Sequence, residues 1–288
     1  MKVAVIGANG QLGSDLLRAG LKYSNVELIP LTRKELDITV REQVYEVFKS
    51  IKPDFVINTA AFHKTDLCEI ETSKAFKINT EGVKNLVETC TELNTALVHI
   101  STDYVFDGKK LKEKKPYVES DKPNPINIYG ISKYAGELIV QNYLEKFYVV
   151  RVASLFGRRG ASGKGGNFVY TILEKAKKGE ELKVIDDIYM SPTYTYDASK
   201  EIWNLILNEK PYGIYHITNT GYCSWYEFAF KILEFANIKT RIKPVKHTEF
   251  KMKAKRPLWS PLNSEKYISM PHWENALHRF IQSIIDNL

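Results

Sequence analysis

The chain has 288 residues, 44% of them hydrophobic and 26% charged, an ordinary globular composition that excludes a disordered, collagen-like or coiled-coil protein. Its net charge is +7, from 41 Lys and Arg against 34 Asp and Glu; no helix carries a continuous basic stripe and no zinc-finger, RNP or basic-zipper pattern occurs, so phosphate-bearing small ligands suit the charge better than nucleic acid. The three cysteines Cys68, Cys90 and Cys223 are far apart with no CxxC pair, and no apolar run reaches the ~18 residues a bilayer requires, so a cytoplasmic chain with no membrane partner is expected.

In chain order, Met1–Lys2 leads straight into a β-type run rather than a targeting peptide. Near-continuous Val/Ile content predicts buried parallel strands over 3–7, 26–31, 55–58, 97–101 and 148–152. Helical periods between them predict helices over 11–19, 41–50, 73–92 and 132–144. This alternation reads as α/β: a doubly wound parallel sheet of the Rossmann kind. After about residue 153 the pattern changes. A basic, Gly-rich loop over 158–166 is followed by helices near 168–178, 198–207 and 225–235, a strand near 182–185 and a C-terminal helix from about Trp273. A dinucleotide-binding domain over 1–153 and a smaller, mainly substrate-binding lobe over 154–288 are expected, with some of the lobe's elements returning to the core.

The first strand ends in Gly7-Ala8-Asn9-Gly10-Gln11-Leu12-Gly13. Glycines here permit a tight turn and close approach to a pyrophosphate, and the following helix N-terminus offers N–H donors. The second strand ends in Thr32-Arg33-Lys34, where an NAD-selective site usually places an acid for the ribose 2′-hydroxyl. A guanidinium suits a 2′-phosphate, so NADPH is favoured, with NADH left open. Asp37 and Ile38 come next, in place to meet the adenine.

Ser101-Thr102-Asp103-Tyr104 closes the fourth strand, and Tyr129 and Lys133 follow four residues apart, one face of a helix. A free tyrosine has a pKa of about 10, and lowering it by three units takes roughly 4 kcal/mol. A close ammonium is expected to supply part of that, so that Tyr129 protonates an alkoxide while Thr102 holds the carbonyl oxygen. Asn79 is placed to anchor the site through backbone hydrogen bonds, and His99, within a strand, reads as core. No histidine pair has metal-ligand spacing, so no catalytic metal is expected.

Together these motifs resemble the extended short-chain dehydrogenase/reductase superfamily, and within it the dTDP-4-dehydrorhamnose reductase family. The resemblance runs through 7–13, Asn58-Thr59-Ala60-Ala61 with Asp66 and Glu69, Ser101–Phe106, 124–137, Gly166-Asn167-Phe168, Asp187 with Ser191-Pro192-Thr193, and Arg256-Pro257 with Ser260 and Leu262. It implies a cytoplasmic enzyme of cell-surface polysaccharide biosynthesis that reduces the 4-keto group of dTDP-4-dehydro-6-deoxy-L-mannose with NAD(P)H to dTDP-L-rhamnose, with Thr102, Tyr129 and Lys133 catalytic. The cofactor site is expected to comprise Gly7, Asn9, Gly10, Gln11, Leu12, Gly13, Thr32, Arg33, Asp37, Ile38, Ala60, Ala61, Asn79 and Ser101, with Tyr129 and Lys133. The nucleotide sugar is expected at His63, Asp103, Tyr104, Asn167 and Arg256, with the Gly-rich 160–166 loop expected to move over the ligand. Related dehydratases carry Thr-Asp-Glu where this chain has Thr102-Asp103-Tyr104, so simple ketone reduction is implied. Two alternatives stay open: a reductase or epimerase of another nucleotide sugar, and a non-catalytic NADP-binding regulatory subunit, which has no chemical need for Thr102, Tyr129 and Lys133. Some relatives dimerise, and a homodimer is compatible with the reading. Departures from the family pattern fall at 62–65, 151–154 and 187–190.

Overall fold

The computed structural model describes residues 1–160, 166–266 and 270–285. Six parallel strands form its central sheet: β1 Lys2–Ile6, β2 Glu27–Leu31, β3 Phe55–Asn58, β4 Ala96–Thr102, β5 Phe147–Val152 and β6 Gly213–His216, in the spatial order β6-β5-β4-β3-β1-β2. Because all run the same way, their C-terminal ends lie along one edge. The chain turns outward from β1 to β2 and then crosses back to β3, so the switch point lies between β1 and β3, where ligands bind in open α/β sheets.

Strand periodicity explains the two cores. Val3 and Val5 face one side of the sheet with Ile57, Val98 and Val150, under Leu16, Ile202 and Trp203. Ala4 and Ile6 face the other with Val56, Leu97 and Val149, under Val44, Phe48, Val83 and Leu86. Helices cover both faces, so the strands read as continuous apolar runs rather than alternating ones. The helices are α1 Gln11–Gly20, α2 Arg41–Ile51, α3 Gly82–Glu92, α4 Ile128–Tyr143, α5 Phe168–Lys177, α6 Thr195–Leu207, α7 Trp225–Phe235 and α8 Trp273–Ile285.

The expected strands and most helices are present, with three differences. The segment expected as one helix over 73–92 is broken into Thr72–Phe76, a π-helical turn Lys77–Glu81 and α3. The wide turn sets the buried Asn79 amide against the backbone of Phe62, and such π-turns recur at functional sites. The helix expected from 132 begins at Ile128, because Asn127 caps it by accepting from the Gly130 N–H at 2.8 Å. The sixth strand, Gly213–His216, comes from the C-terminal half and was not expected. It is short and pairs along one side with β5, while Glu119 accepts from its His216 N–H at 2.9 Å and Lys266 donates to its Ile214 carbonyl at 2.6 Å.

The C-terminal half also binds to the nucleotide half through helices. Trp203 on α6 is fully buried and donates its indole N–H to the Leu16 carbonyl of α1 at 2.9 Å. Thr195, at the start of α6, donates to Asp15 of α1 at 2.5 Å. The rest of the lobe has its own aromatic core of Phe156, Tyr194, Phe228, Trp273 and Phe280, braced by a parallel two-stranded pairing of Leu182–Ile185 with Ile242–Val245. Residues 161–165 of the Gly-rich loop, expected to cover the ligand, lie outside the described residues.

Candidate active site

The glycine turn sits at the switch point. Gly7 has φ +77°, and a Cβ there would stand 2.5 Å from Thr59 Oγ1, just past β3. Only glycine meets both demands without strain. Gly13, in the first turn of α1, packs on the Gly7 backbone. Gly10 is the N-cap of α1 and supplies no side-chain cap, and no acid occupies the first turn. The open N–H donors and positive end of the helix therefore face the turn made by Ala8 and Asn9. Gln11 Nε2 is buried there with no hydrogen-bond partner. These features fit the pyrophosphate of a dinucleotide: a close backbone approach, unmet donors and no competing carboxylate. Leu12 packs its side chain into the core.

The turn after β2 differs from expectation in detail. The Thr32 N–H and hydroxyl both donate to Glu35, at 2.8 and 2.5 Å, so this hydroxyl belongs to a local turn. Arg33 is 77% exposed and pairs with Asp37 at 3.2 Å. Asp37 Oδ1 accepts from the N–H and hydroxyl of Thr39 at 3.0 and 2.8 Å, and Ile38 is core, seated against Gly82. Asp37 and Ile38 thus shape the turn rather than offering free groups to an adenine. Ala60 and Ala61 follow β3, next to Gly7; the Ala60 N–H donates to Asn58 Oδ1 at 3.1 Å.

The reactive groups meet at the end of β4. Thr102 caps the 3₁₀ turn Asp103–Val105, accepting from the Tyr104 N–H at 3.2 Å and donating to Asp103 Oδ1 at 3.0 Å. Tyr129 lies in the first turn of α4 beside Thr102; burial raises its phenol above the ordinary value, with Thr102 opposing that rise. The Tyr104 and Tyr129 rings meet edge to face, 5.9 Å apart. Close packing of α4 against this turn requires Gly130, whose added Cβ would collide with the Tyr104 carbonyl. Glu69 completes the cap by accepting from the Ile128 N–H at 2.9 Å.

Lys133 is 2% exposed. Its Nζ donates to the Ile100 carbonyl at 2.6 Å and lies 3.3 Å from His99 Nε2. Burial pushes the amine down to about 8, against the pull of Glu137. Lys133 is thus held by β4, one helical turn along α4 from Tyr129.

Ser101, expected among the cofactor contacts, is buried. Its hydroxyl donates to Glu137, deep under the sheet edge, and Glu137 is ion-paired to Arg151 on β5 at 2.7 Å, both essentially unexposed. Its side chain therefore belongs to a core network that ties α4 to β4 and β5. Asn79 anchors the geometry as expected: Oδ1 accepts from the Phe62 N–H at 2.8 Å, and Nδ2 donates to the Phe62 carbonyl and to Ser132 Oγ at 3.1 and 3.0 Å. It locks the 62–65 segment to the catalytic helix, so its amide is bound to protein, not free for a cofactor.

The residue family whose description is RmlD substrate binding domain matches residues 1–285. A dTDP-4-dehydrorhamnose reductase of Aggregatibacter actinomycetemcomitans is 34% identical over 293 residues, 96% of this chain and 97% of that one. The chain belongs to the dTDP-4-dehydrorhamnose reductase family. The spore coat polysaccharide biosynthesis protein SpsK of Bacillus subtilis (strain 168) is 40% identical over 285 residues, covering 98% of this chain and 97% of that protein. Among solved structures, dTDP-4-dehydrorhamnose reductase from Bacillus anthracis str. Ames in complex with NADP matches with a TM-score of 0.91 at 39% identity, over 98% of this chain and 99% of that one.

Beyond Thr102 and Tyr129 stand the residues expected to meet the substrate. Asp103 is 4% exposed and accepts from Ser260 Oγ at 2.6 Å; burial pushes its carboxyl up to about 6, against the Ser260 and Thr102 hydrogen bonds. It secures the 260 segment to the strand end more than it presents a charge. Tyr104 is pushed up to about 12 by burial, with Arg256 opposing. Arg256 pairs with Asp66 at 3.0 Å, while its Nη1 is buried without a partner. His63 is partly buried, with Nδ1 3.4 Å from the Ala61 carbonyl. Asn167 caps α5, accepting from the Tyr170 N–H at 3.3 Å, and its Nδ2 donates to the Gly157 carbonyl at 2.7 Å. Its amide is held by the lobe's own backbone.

Sequence reading alone missed Glu35, the Glu137–Arg151 pair, and the placing of His99 beside Lys133 with Asn58 on the far side of its ring. Glu137 and Arg151 carry a signal in retrospect: a charged residue inside an apolar strand needs a buried partner.

Proposed function

We propose that this chain reduces the 4-keto group of dTDP-4-dehydro-6-deoxy-L-mannose to dTDP-L-rhamnose with NADPH. The carrying observation is the convergence of Thr102, Tyr129 and Lys133 at the carboxyl edge, beside an uncapped helix N-terminus built for a pyrophosphate. When bound, the dinucleotide supplies the hydride. The Thr102 hydroxyl orients the keto oxygen, and the Tyr129 phenol donates its proton to that oxygen as charge develops there. Burial keeps the phenol protonated before the reaction, as an acid must be. Lys133, beneath it, is the replenishing proton source, and Asn79 and Asn127 hold α4 in place.

Around the ligand, Gly7, Asn9, Gly10, Gln11, Leu12 and Gly13 form the pyrophosphate turn, with Ala60 and Ala61 opposite. Arg33 is the group for a 2′-phosphate, which would compete with Asp37 for the guanidinium. The buried, unpartnered Nη1 of Arg256 is the donor for the nucleotide sugar, with His63 and Tyr104 lining the approach. Buried cysteines that form no disulfide and an NADPH-dependent step suit the cytoplasm. Among the described residues no helix is long and apolar enough to cross a membrane.

The test is NADPH oxidation on addition of the dTDP-keto sugar, with product identified by chromatography. Consumption of NADPH with formation of dTDP-L-rhamnose supports the reading. Activity only with a different keto sugar would reassign the substrate, and cofactor binding without turnover of any sugar would favour a regulatory subunit.

A further inference from the structure

Behind Lys133 lies a chain of three buried polar groups with one consistent arrangement of protons. Asn58 Oδ1 accepts from the Ala60 N–H at 3.1 Å, so the amide nitrogen is the end that faces His99. Asn58 Nδ2 is 3.3 Å from His99 Nδ1, and His99 Nε2 is 3.3 Å from Lys133 Nζ. Lys133 Nζ in turn donates to the Ile100 carbonyl at 2.6 Å. Asn58, His99 and Lys133 are all 2% exposed or less, so water does not relieve a mismatch.

A neutral imidazole has one N–H and one acceptor. With Asn58 donating to Nδ1, the imidazole proton belongs on Nε2, pointing at Lys133. An ammonium there sets donor against donor. Moving the imidazole proton to Nδ1 transfers the same conflict to Asn58. An amine removes it: Asn58 donates to Nδ1, Nε2–H donates to the Nζ lone pair, and Nζ–H donates to Ile100. These proton positions follow from the hydrogen-bond network. An imidazolium would worsen the conflict, and burial together with Lys133 drives the His99 ring well below its ordinary value.

We propose that His99, oriented by Asn58, is a positioning residue that destabilises the charged form of Lys133 and thereby lets this lysine exchange its proton near neutral pH. The charged groups bearing on the pair are few. Glu137 on α4 opposes the effect by favouring the ammonium, but its charge is largely directed into its pair with Arg151 of β5. β3 presents the neutral Asn58, and β5 places Val149 beside His99. The lowered value of about 8 for Lys133 agrees with this arrangement. The consequence for the reaction, which rests on the function proposed above, is that Tyr129 is resupplied by a group able to give and regain a proton within the working range, where an ordinary lysine would hold its proton.

Two measurements on the full chain test this. Long-range proton–nitrogen NMR of the imidazoles is expected to show His99 neutral and, above the Lys133 titration, in the Nε2–H form, with the Lys133 side chain titrating near 8. A Nδ1–H tautomer at high pH, an imidazolium, or a Lys133 midpoint near 10.5 overturns the assignment. In His99→Gln the amide carbonyl accepts from the ammonium, so the alkaline limb of kcat/KM is expected to move up by ~1 pH unit or more, with KM for NADPH little changed. A folded His99→Gln variant with an unmoved limb overturns it as well. Should the chain turn over no keto sugar, the proposed function fails while the NMR result still decides the protonation of the pair.

Discussion

The end of β4 and the turn after β2, both expected to border the cofactor, are built in opposite ways. At β4, Thr102, Asp103 and Lys133 are buried, and Asp103 and Lys133 take partners from distant parts of the chain, Ser260 and His99. At β2, Thr32, Arg33, Glu35 and Asp37 bond one another within five residues, with Arg33 mostly in solvent. Low dielectric and long-range packing preorganise the first region, where small errors in placement cost rate. Water and local flexibility govern the second, where an ion pair is worth ~1 kcal/mol or less and its charge is easily redirected to a ligand. The proposed chemistry is thus held rigidly, and the proposed contact to a 2′-phosphate lies in the part that is easiest to rewrite.

The contrast breaks most visibly at Tyr129. Tyr129→Phe removes a positioned proton donor and nothing else, so turnover should fall by ~10²–10⁴-fold, while NADPH affinity and melting temperature stay near those of the parent. Equal turnover would take the phenol out of the mechanism.

Glu137→Gln probes the buried side of the same helix. It leaves the Arg151 charge in the core without its partner, and a loss of ~3–5 kcal/mol in unfolding free energy is expected, read by urea titration. Adding Arg151→Met should restore a good part of it. A loss below ~1 kcal/mol for the single variant would show that this network does not hold the region.

A smaller effect is expected for Asp103, and its sign is definite. Its carboxyl rises from 3.8 to about 6 in the folded chain, so the folded state holds a proton the unfolded chain has released. Its contribution is present below about pH 4 and is lost as pH rises through 6. Asp103→Asn should remove that part of the slope, seen as a difference between parent and variant melting curves from pH 4 to 7. Parallel curves would show an ordinary carboxyl.

The smallest effect belongs to the exposed turn. Arg33→Ala should weaken NADPH roughly tenfold, equivalent to ~1.4 kcal/mol, with NADH nearly unaffected and stability unchanged. Equal weakening of both coenzymes would remove Arg33 from 2′-phosphate recognition.

Much of the fold was legible in the sequence because its signals are local. A glycine turn between a strand and a helix, and a Tyr–Lys pair four residues apart, constrain the backbone within a few residues. The five Val/Ile-rich strands announced themselves in the same way. The sixth strand did not, since four residues pair only because β5 is already there. Nor were the partners of Ser101 and Asn167 legible: both side chains are polar and near the expected ligand, and Glu137 and Gly157 reach them from 36 and 10 positions away.

By itself, then, the sequence determined the architecture, the position of the dinucleotide turn and the chemical identity of the reacting groups, since these follow from periodicity, backbone permissiveness and functional-group chemistry. Only the tertiary structure decided which hydroxyl answers which carboxylate, that Lys133 leans on His99 and Ile100, and that Asn79 clamps a loop to the catalytic helix. Those choices join residues from 17 to 157 positions apart. They are settled by the need to satisfy every buried donor and acceptor at once, which no local pattern encodes.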